Sequence, residues 1–442
     1  MFSIKSLIFI SLFFITVLGA VFLPHIGVYG YLADYCIGPS GQWWEEPFRG
    51  LGLRYSFTLA LATILGFAFQ RHKLRFGYAI LQGQEILILL FAVIAWVSFF
   101  TGSPTIARYS TVDHPTVKFT KIVVFVFLMT HIITDRNKFN GFLWVFVWCA
   151  LVLGLQAWGL PRRSFISGRL EGIGGADFAE SNFLAAFMAA MLPIIGIQLL
   201  RSKKWLSKLL CLPAAAFTAN TIVLCRSRGA FVGIFVGCMA AMLMAPKRHK
   251  KKIVVGLILG ALGGLYVTDQ QFLERMTTIV VGEDEQRDES SVSRLRLWQA
   301  GIQMVYDKPT GIGIGNWYQT IGRYIPDYEG KDSHNTFVKC IAELGVHGFF
   351  IFALVIIFAL NETRKIRKFS GRLPPEIEND FIILAFGICI SIVIILACGL
   401  TITMIYTETI WILLMLPVCL RRSLENAIIE HEAGKTERAK AL

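Results

Sequence analysis

Apolar runs of roughly 16 to 22 residues, each closed by a short polar or basic break, recur from one end of this 442-residue chain to the other. A helix of that length spans the hydrocarbon of a bilayer, so the pattern predicts a polytopic membrane protein. The runs fall at about 4–23, 54–70, 83–101, 118–134, 139–160, 183–200, 205–224, 229–246, 253–268, 347–361, 381–400 and 405–420, which predicts an all-α fold of roughly twelve transmembrane helices. Three longer interruptions stand out: 24–53, 161–182 and about 269–346. The last is much the longest and divides the chain into nine helices with short loops (1–268), a large loop (269–346), and three helices with a tail (347–442). Within it, "SRLRLWQAGIQMVY" sets Leu295, Trp298, Ile302 and Val305 at helical spacings, predicting an amphipathic helix. The charged "GEDEQRDESS" before it is expected to be mobile.

Composition narrows the class. With 55% hydrophobic and only 17% charged residues, a soluble domain could not hide its apolar surface. The net charge of +13 does not point to nucleic acid, because the basic residues sit in short clusters between apolar runs: 71–75, 135–138, 201–204, 247–252, 363–368 and 421–422. Placing all six on the cytoplasmic side satisfies the positive-inside rule. Both ends of the chain are then expected inside, and the three long interruptions outside. The first run, "SLIFISLFFITVLGAVFL", lacks a small-x-small cleavage site and reads as the first helix. The nine cysteines form no CxxC pair and lie mostly in apolar runs; Cys36 and Cys340 do not, and a disulfide between them is left open.

Candidate chemistry gathers on the expected external side. In "KDSHNTFVKCIAELGVHGFF" the pair His334–Asn335 precedes an apolar run, either as a helix start capped by Ser333 or Asn335, or as a site facing the membrane surface. "LCRSRGAFVG" puts Arg226 and Arg228 in a short hairpin between two apolar helices, where a guanidinium needs a partner. Two residues apart on a helix is about 200°, so only one of the two is expected to face a given site. The amphipathic helix offers a second such pair, Arg294 and Arg296. Arginines bind phosphate oxygens bidentately, and imidazole takes a proton near neutral pH. Together they suit sugar transfer from a polyprenyl diphosphate, whose departure needs its charge stabilised and whose acceptor hydroxyl needs a base. Arginines in that role make a metal unnecessary, and the sequence offers no carboxylate cluster for one. "GIGIGNW" (311–317) has neither the spacing nor the βαβ context of a nucleotide loop and reads as a tight turn.

The segments "SRGA" (227–230), "SRLRLWQAGIQMVYDKPTGIGIGNW" (293–317) and "HNTFVKCIAELGVHG" (334–348) resemble the O-antigen ligase / O-antigen polymerase family of bacterial envelope glycosyltransferases. The shared pattern is Arg four residues before Trp, then Pro, a Gly-x-Gly-x-Gly-Asn turn, and His-Asn followed by Glu-x-Gly-x-x-Gly. "GRLEGIGGADFAESNFLAAFMAAMLP" (168–193) resembles that family's earlier external loop, so the likeness covers roughly 165–350. It implies a many-helix inner-membrane protein whose large periplasmic loop lies over a lipid-facing cavity. It also implies metal-independent, inverting transfer of a glycan from undecaprenyl diphosphate, without cofactor. By the resemblance Arg228, Arg294 and His334 are the catalytic positions, with Arg226, Arg296, Arg169, Asn182, Asn335 and Glu343 as substrate-binding candidates. Glu343, nine residues on, falls about 180° from His334 on a continuous helix and is not expected to be its direct partner. Acceptors in this family are lipid A–core, a growing glycan or a protein hydroxyl; the ligase reading leads, with polymerase and protein glycosylation as alternatives. A flippase is the rival of another class, and it predicts ionisable residues deep within several helices. Here Glu85 and Glu408 are expected near helix ends.

Overall fold

The computed structural model describes residues 3–102, 113–161, 163, 165–277 and 289–441. Most of the charged run at 282–291, expected to be mobile, lies outside the described residues. These form sixteen α-helices and no extended strand. In chain order they are α1 (Ile4–Phe22), α2 (Pro24–Ile37), α3 (Tyr55–Gln70), α4 (Gly83–Thr101), α5 (Pro115–Ile132), α6 (Arg136–Gly159), α7 (Ser181–Arg201) and α8 (Trp205–Cys225). There follow α9 (Arg228–Met244), α10 (Lys250–Val267), α11 (Gln270–Thr277), α12 (Glu289–Asp307), α13 (Trp317–Tyr324), α14 (Thr336–Phe369), α15 (Pro375–Gly399) and α16 (Glu408–Ala441).

Each of the twelve expected apolar runs falls in a helix. Among the described residues eight helices are long and apolar enough to cross a membrane: α1, α4, α5, α6, α7, α8, α14 and α15. The bent pair α9 and α10, which meet at 110°, would make a ninth if taken as one span. α3 has only 16 residues, and the apolar part of α16 ends at Arg421 and Arg422. At the centre stand α7, α15 and the first half of α16, apolar on nearly every side and buried accordingly.

One face gathers the basic clusters. Arg136 and Arg201 both grip Asp380, at 2.8 and 2.6 Å, and His249 pairs with Asn379 at 2.8 Å. Arg75 meets Glu430 at 2.7 Å, Arg421 meets Glu425 at 2.6 Å, and Asn426 donates to the Thr134 carbonyl at 2.8 Å. Close by, Arg422, fully buried, is clamped by Glu85 at 2.7 Å. That pair ties α16 to the first turn of α4, where Glu85 also completes the capping box with Gln82.

Segment 24–53, expected as an external loop, contains a helix. α2 turns back beside α1, with Gly27 against Ala20 and Gly30 against Thr16. Its glycines and tyrosines mask the apolar pattern, yet they are what allow the close approach. The α1–α2 corner lies by the basic face, where Tyr29 donates to the Lys138 carbonyl at 2.5 Å. α2 ends on the opposite face, where the Cys36 carbonyl accepts from Gly175 N at 3.0 Å. α1 runs parallel to α3, with Phe13 beside Tyr55 at one end and Ala20 beside Gly66 at the other. The start of α1 therefore faces away from the basic clusters, with Lys5 over the Trp43 ring. That corrects the expectation that the start lies on the same side as the basic clusters. Cys36 and Cys340 are both buried free thiols, so the possible disulfide is not formed.

On the face opposite the basic clusters lie the described residues of 161–182 and of 269–335, together with the α8–α9 hairpin. There α14 is interrupted at Gly345, whose φ of 71° and ψ of −178° suit glycine alone. The break is stitched to the glycine turn before it: Ile312 N donates to Ala342 O at 2.9 Å, Gly313 N to Glu343 O at 3.1 Å, and Val346 N to Pro309 O at 3.0 Å. Gly311, Gly313 and Gly315 all have positive φ, so the expected tight turn is what the chain forms. It is a seat for the broken helix.

Candidate active site

His334 is the residue before the cap of α14 and takes a left-handed backbone, φ 49°. A non-glycine residue holds that conformation only when its neighbours over-determine it. They do so here. Ser333 Oγ lies 2.8 Å from Thr403 Oγ1, and Asn335 N donates to the same Thr403 oxygen at 3.2 Å. Asn335 caps α14, its Oδ1 accepting from Phe337 N and Val338 N at 2.9 and 3.0 Å, while its Nδ2 donates to Leu400 O at 2.9 Å. Of the two readings open for this stretch, the helix start holds for Asn335. Every polar atom of its side chain already has a backbone partner, which leaves it poorly suited to bind substrate.

Trp298 of α12 donates through Nε1 to Ser333 O at 3.0 Å. Arg294 stands one helical turn before Trp298, about 6 Å along the axis. The motif of Arg four residues before Trp is thus a lever that brings a guanidinium to the residue after Ser333. Arg294 is half-buried, and its charge acts on the His334 imidazole. Arg296 is exposed on another side of α12. The buried stripe of this helix also differs from the expected one: Leu297, Ala300, Gly301 and Met304 face inward, while Leu295 and Ile302 are about half exposed. Small residues carry the contact, Gly301 lying against Val338 and Trp317, and no apolar pattern marks them.

The α8–α9 hairpin separates its two arginines. Arg226, left-handed at the end of α8 with φ 48°, is 6% exposed; it pairs with Asp269 at 2.8 Å and donates to Gly168 O. Expected among the substrate-binding residues, it instead holds the hairpin to the start of α11 and to the 161–182 loop. Arg228 opens α9 and is half-exposed. Its neighbour Gly229 packs so closely on Thr401 that a Cβ there would lie 2.1 Å from Thr401 Oγ1. The segment 400–403 that receives Gly229 is the one that anchors Ser333, Asn335 and Thr336. The first turns of α9 and α14 therefore share one support, and α12 joins them through Trp298.

Arg169 and Asn182 stand beside the hairpin rather than across from it. Arg169 donates to Cys225 O at 3.1 Å and to Asn182 Oδ1 at 2.7 Å, and Ser227 Oγ reaches the same Oδ1 at 3.0 Å. Asn182 Nδ2 then donates to Glu180 at 2.8 Å. Glu180, exposed, bears electrostatically on both Arg169 and His334 and so links the two halves of the site. Glu343 is fully buried: Oε1 accepts from Trp317 N at 3.1 Å and Oε2 from Tyr406 at 2.7 Å. As expected, it is not the partner of His334. Its place is behind the glycine turn, and it is not available to substrate.

Burial pushes the His334 imidazole below its ordinary value, with Arg294 and Lys339 adding to the effect and Asp332 and Glu180 opposing it. The ring is therefore neutral at rest and able to accept a proton. Burial alone would raise Asp332, but the Lys339 ammonium and the Thr403 hydroxyl hold it well below the usual carboxylate range. Asp332, Lys339, Glu180 and the 400–404 segment were not singled out in the sequence. The cue lay in the threonines of "LTITMIYTE", polar residues inside what reads as a simple break between two apolar runs.

Residues 213–353 match the family model Wzy_C, O-antigen ligase. They form an O-antigen ligase family domain. Arg228, Arg294 and His334 all lie inside the O-antigen ligase match, whereas Arg169 and Asn182 precede it. The family resemblance read in the motifs is thereby met, over a shorter stretch than the 165–350 expected. The match covers less than half of the chain, and it lies in a chain with eight helices long and apolar enough to cross a membrane among the described residues. No curated protein sequence matches the chain. A chain of the solved structure described as "Structural coordination of polymerization and crosslinking by a peptidoglycan synthase complex" is 15% identical over 78% of this chain and 97% of its own, with a TM-score of 0.39. That likeness is too loose to carry an argument.

Proposed function

We propose that the protein moves a glycan from undecaprenyl diphosphate to an acceptor hydroxyl on the face opposite the basic clusters, taken as periplasmic by the positive-inside rule. α3 and α16 are read as further crossings beside the eight. Arg228 and Arg294 neutralise the diphosphate as it departs, and His334 takes the acceptor's proton. The acceptor oxygen forms its bond at the anomeric carbon from the side opposite the departing phosphate oxygen, so the transfer inverts. No metal is needed where two guanidiniums receive the charge. The observation that supports this reading is the shared support of three chain segments: the 400–403 loop beneath Gly229 and the two residues that flank His334, and Trp298, one turn after Arg294, bonded to Ser333. The acceptor we favour is lipid A–core; a second repeat unit or a protein hydroxyl would use the same donor chemistry.

The test is transfer by the purified chain in bilayers, with EDTA, offering lipid A–core, a second repeat unit and a protein acceptor separately. Product with one acceptor, lost in folded His334→Ala, supports both class and base. Full activity of His334→Ala would remove His334 from the mechanism. No transfer to any acceptor, with glycan lipid appearing in the opposite leaflet, would favour a flippase.

A further inference from the structure

The loop ahead of α14 and the first turn of that helix are joined by an ion pair that the transfer chemistry above does not use. Lys339, 4% exposed, meets Asp332 at 3.0 Å, and its ammonium also lies 4.1 Å from the centre of the Tyr318 ring. Burying an ammonium is costly unless it is held by a counter-charge and further contacts, so this pair is a built element and not surface decoration. The other oxygen of Asp332 accepts from the His334 backbone N–H at 3.3 Å. We propose that Asp332, locked by Lys339, is a positioning residue for His334: it fixes the left-handed backbone that aims the imidazole and keeps an anion beside the group that takes the proton.

The inference rests on the reading of His334 as base. Ser333 and Asn335 already anchor the backbone on either side of His334, through Trp298, Thr403 and Leu400. Asp332 supplies the remaining tether, and it is the only one of these that also brings charge. Among the described residues, the charges that act on His334 are Asp332 and Lys339 from its own segment, Arg294 from α12, and Glu180 from the loop before α7. Arg294 opposes protonation of the ring, so an anion is needed if the ring is to hold the acceptor's proton while the diphosphate departs. Asp332 suits that task because its own lysine keeps it ionised through the whole working range of pH.

The test uses the full chain in bilayers and compares wild type, His334→Ala, Asp332→Asn and the double variant Asp332→Asn/Lys339→Met, which leaves no lone buried ammonium should the single variant not fold. Asp332→Asn is expected to lower kcat by about 10- to 100-fold, with the donor KM within about twofold. Losing the anion also makes His334 harder to protonate, so the acidic limb of the rate profile should move to lower pH by at least about half a unit. A purely structural role would lower the melting midpoint without moving that limb. The proposal is overturned if His334→Ala is inactive while the folded Asp332 variants keep the wild-type limb and kcat. If His334→Ala retains activity, the base assignment itself fails, and this inference with it.

Discussion

Arg226 and Arg228 offer a controlled comparison, because replacing either by methionine removes one cation from the same three-residue turn. Arg226 is 6% exposed and its partner carboxylate on Asp269 only 19%. Breaking a buried pair costs about 3 to 5 kcal/mol, because the remaining charge stays behind uncompensated. Gly168 O, which accepts from the same guanidinium, adds about 1 kcal/mol or more if it finds no other donor. Arg226→Met should therefore lower the apparent melting midpoint in detergent by roughly 5 °C or more, and its activity loss should track the unfolded fraction. Arg228 is half-exposed at the first position of α9, so its removal should cost the fold about 1 kcal/mol or less. Its loss should fall on transfer, by about 10²- to 10³-fold in kcat, the usual cost of deleting a donor aimed at developing charge. The assay is transfer from a lipid-linked glycan together with a melting curve on the same preparation. An inactive Arg226→Met that melts like wild type would exchange the roles assigned here. So would an Arg228→Met that melts early and regains its activity on cooling.

Other outcomes follow from the same geometry. Asn335→Ala should destabilise by about 2 kcal/mol or more, through a lost cap and an orphaned Leu400 carbonyl, before any effect on donor KM; a wild-type midpoint with a raised KM would return Asn335 to the substrate. Since burial lowers the His334 pKa, wild-type kcat/KM should stay level as pH falls through the ordinary histidine value of 6.5 and decline only below it; a decline centred above 6.5 would contradict the buried setting. Gly345→Ala puts a Cβ 2.5 Å from the Thr310 carbonyl carbon in a backbone region closed to alanine, so little folded protein should be recovered; normal yield would mean that the break in α14 is not required. In sealed inverted vesicles, a membrane-impermeant thiol reagent should label Cys at position 73 but not at position 5; equal labelling would undo the parallel course of α1 and α3.

Much of this arrangement was legible because bilayer chemistry writes long, simple patterns: the apolar runs, the six basic clusters that the structure brings to one face, and the long segment over the other. What stayed hidden depends on small residues and on backbone. α2 approaches α1 through Gly27 and Gly30, and α12 sets Ala300 and Gly301 between Leu297 and Met304, so small residues occupy part of each contact face and weaken the hydrophobic period that would reveal it. The motifs were legible as a set but not as roles. Asn335 and Arg226 stand within two residues of proposed catalytic residues and Glu343 nine residues from His334, and each directs its side chain to the backbone or to a buried partner. Their contribution is to hold the turn, the broken helix and the hairpin from which His334, Arg294 and Arg228 project. A spacing such as Arg-x-x-x-Trp acquires a physical meaning only once the indole is seen on the Ser333 carbonyl, because that bond holds α12, with Arg294 one turn before Trp298, against the segment that carries His334.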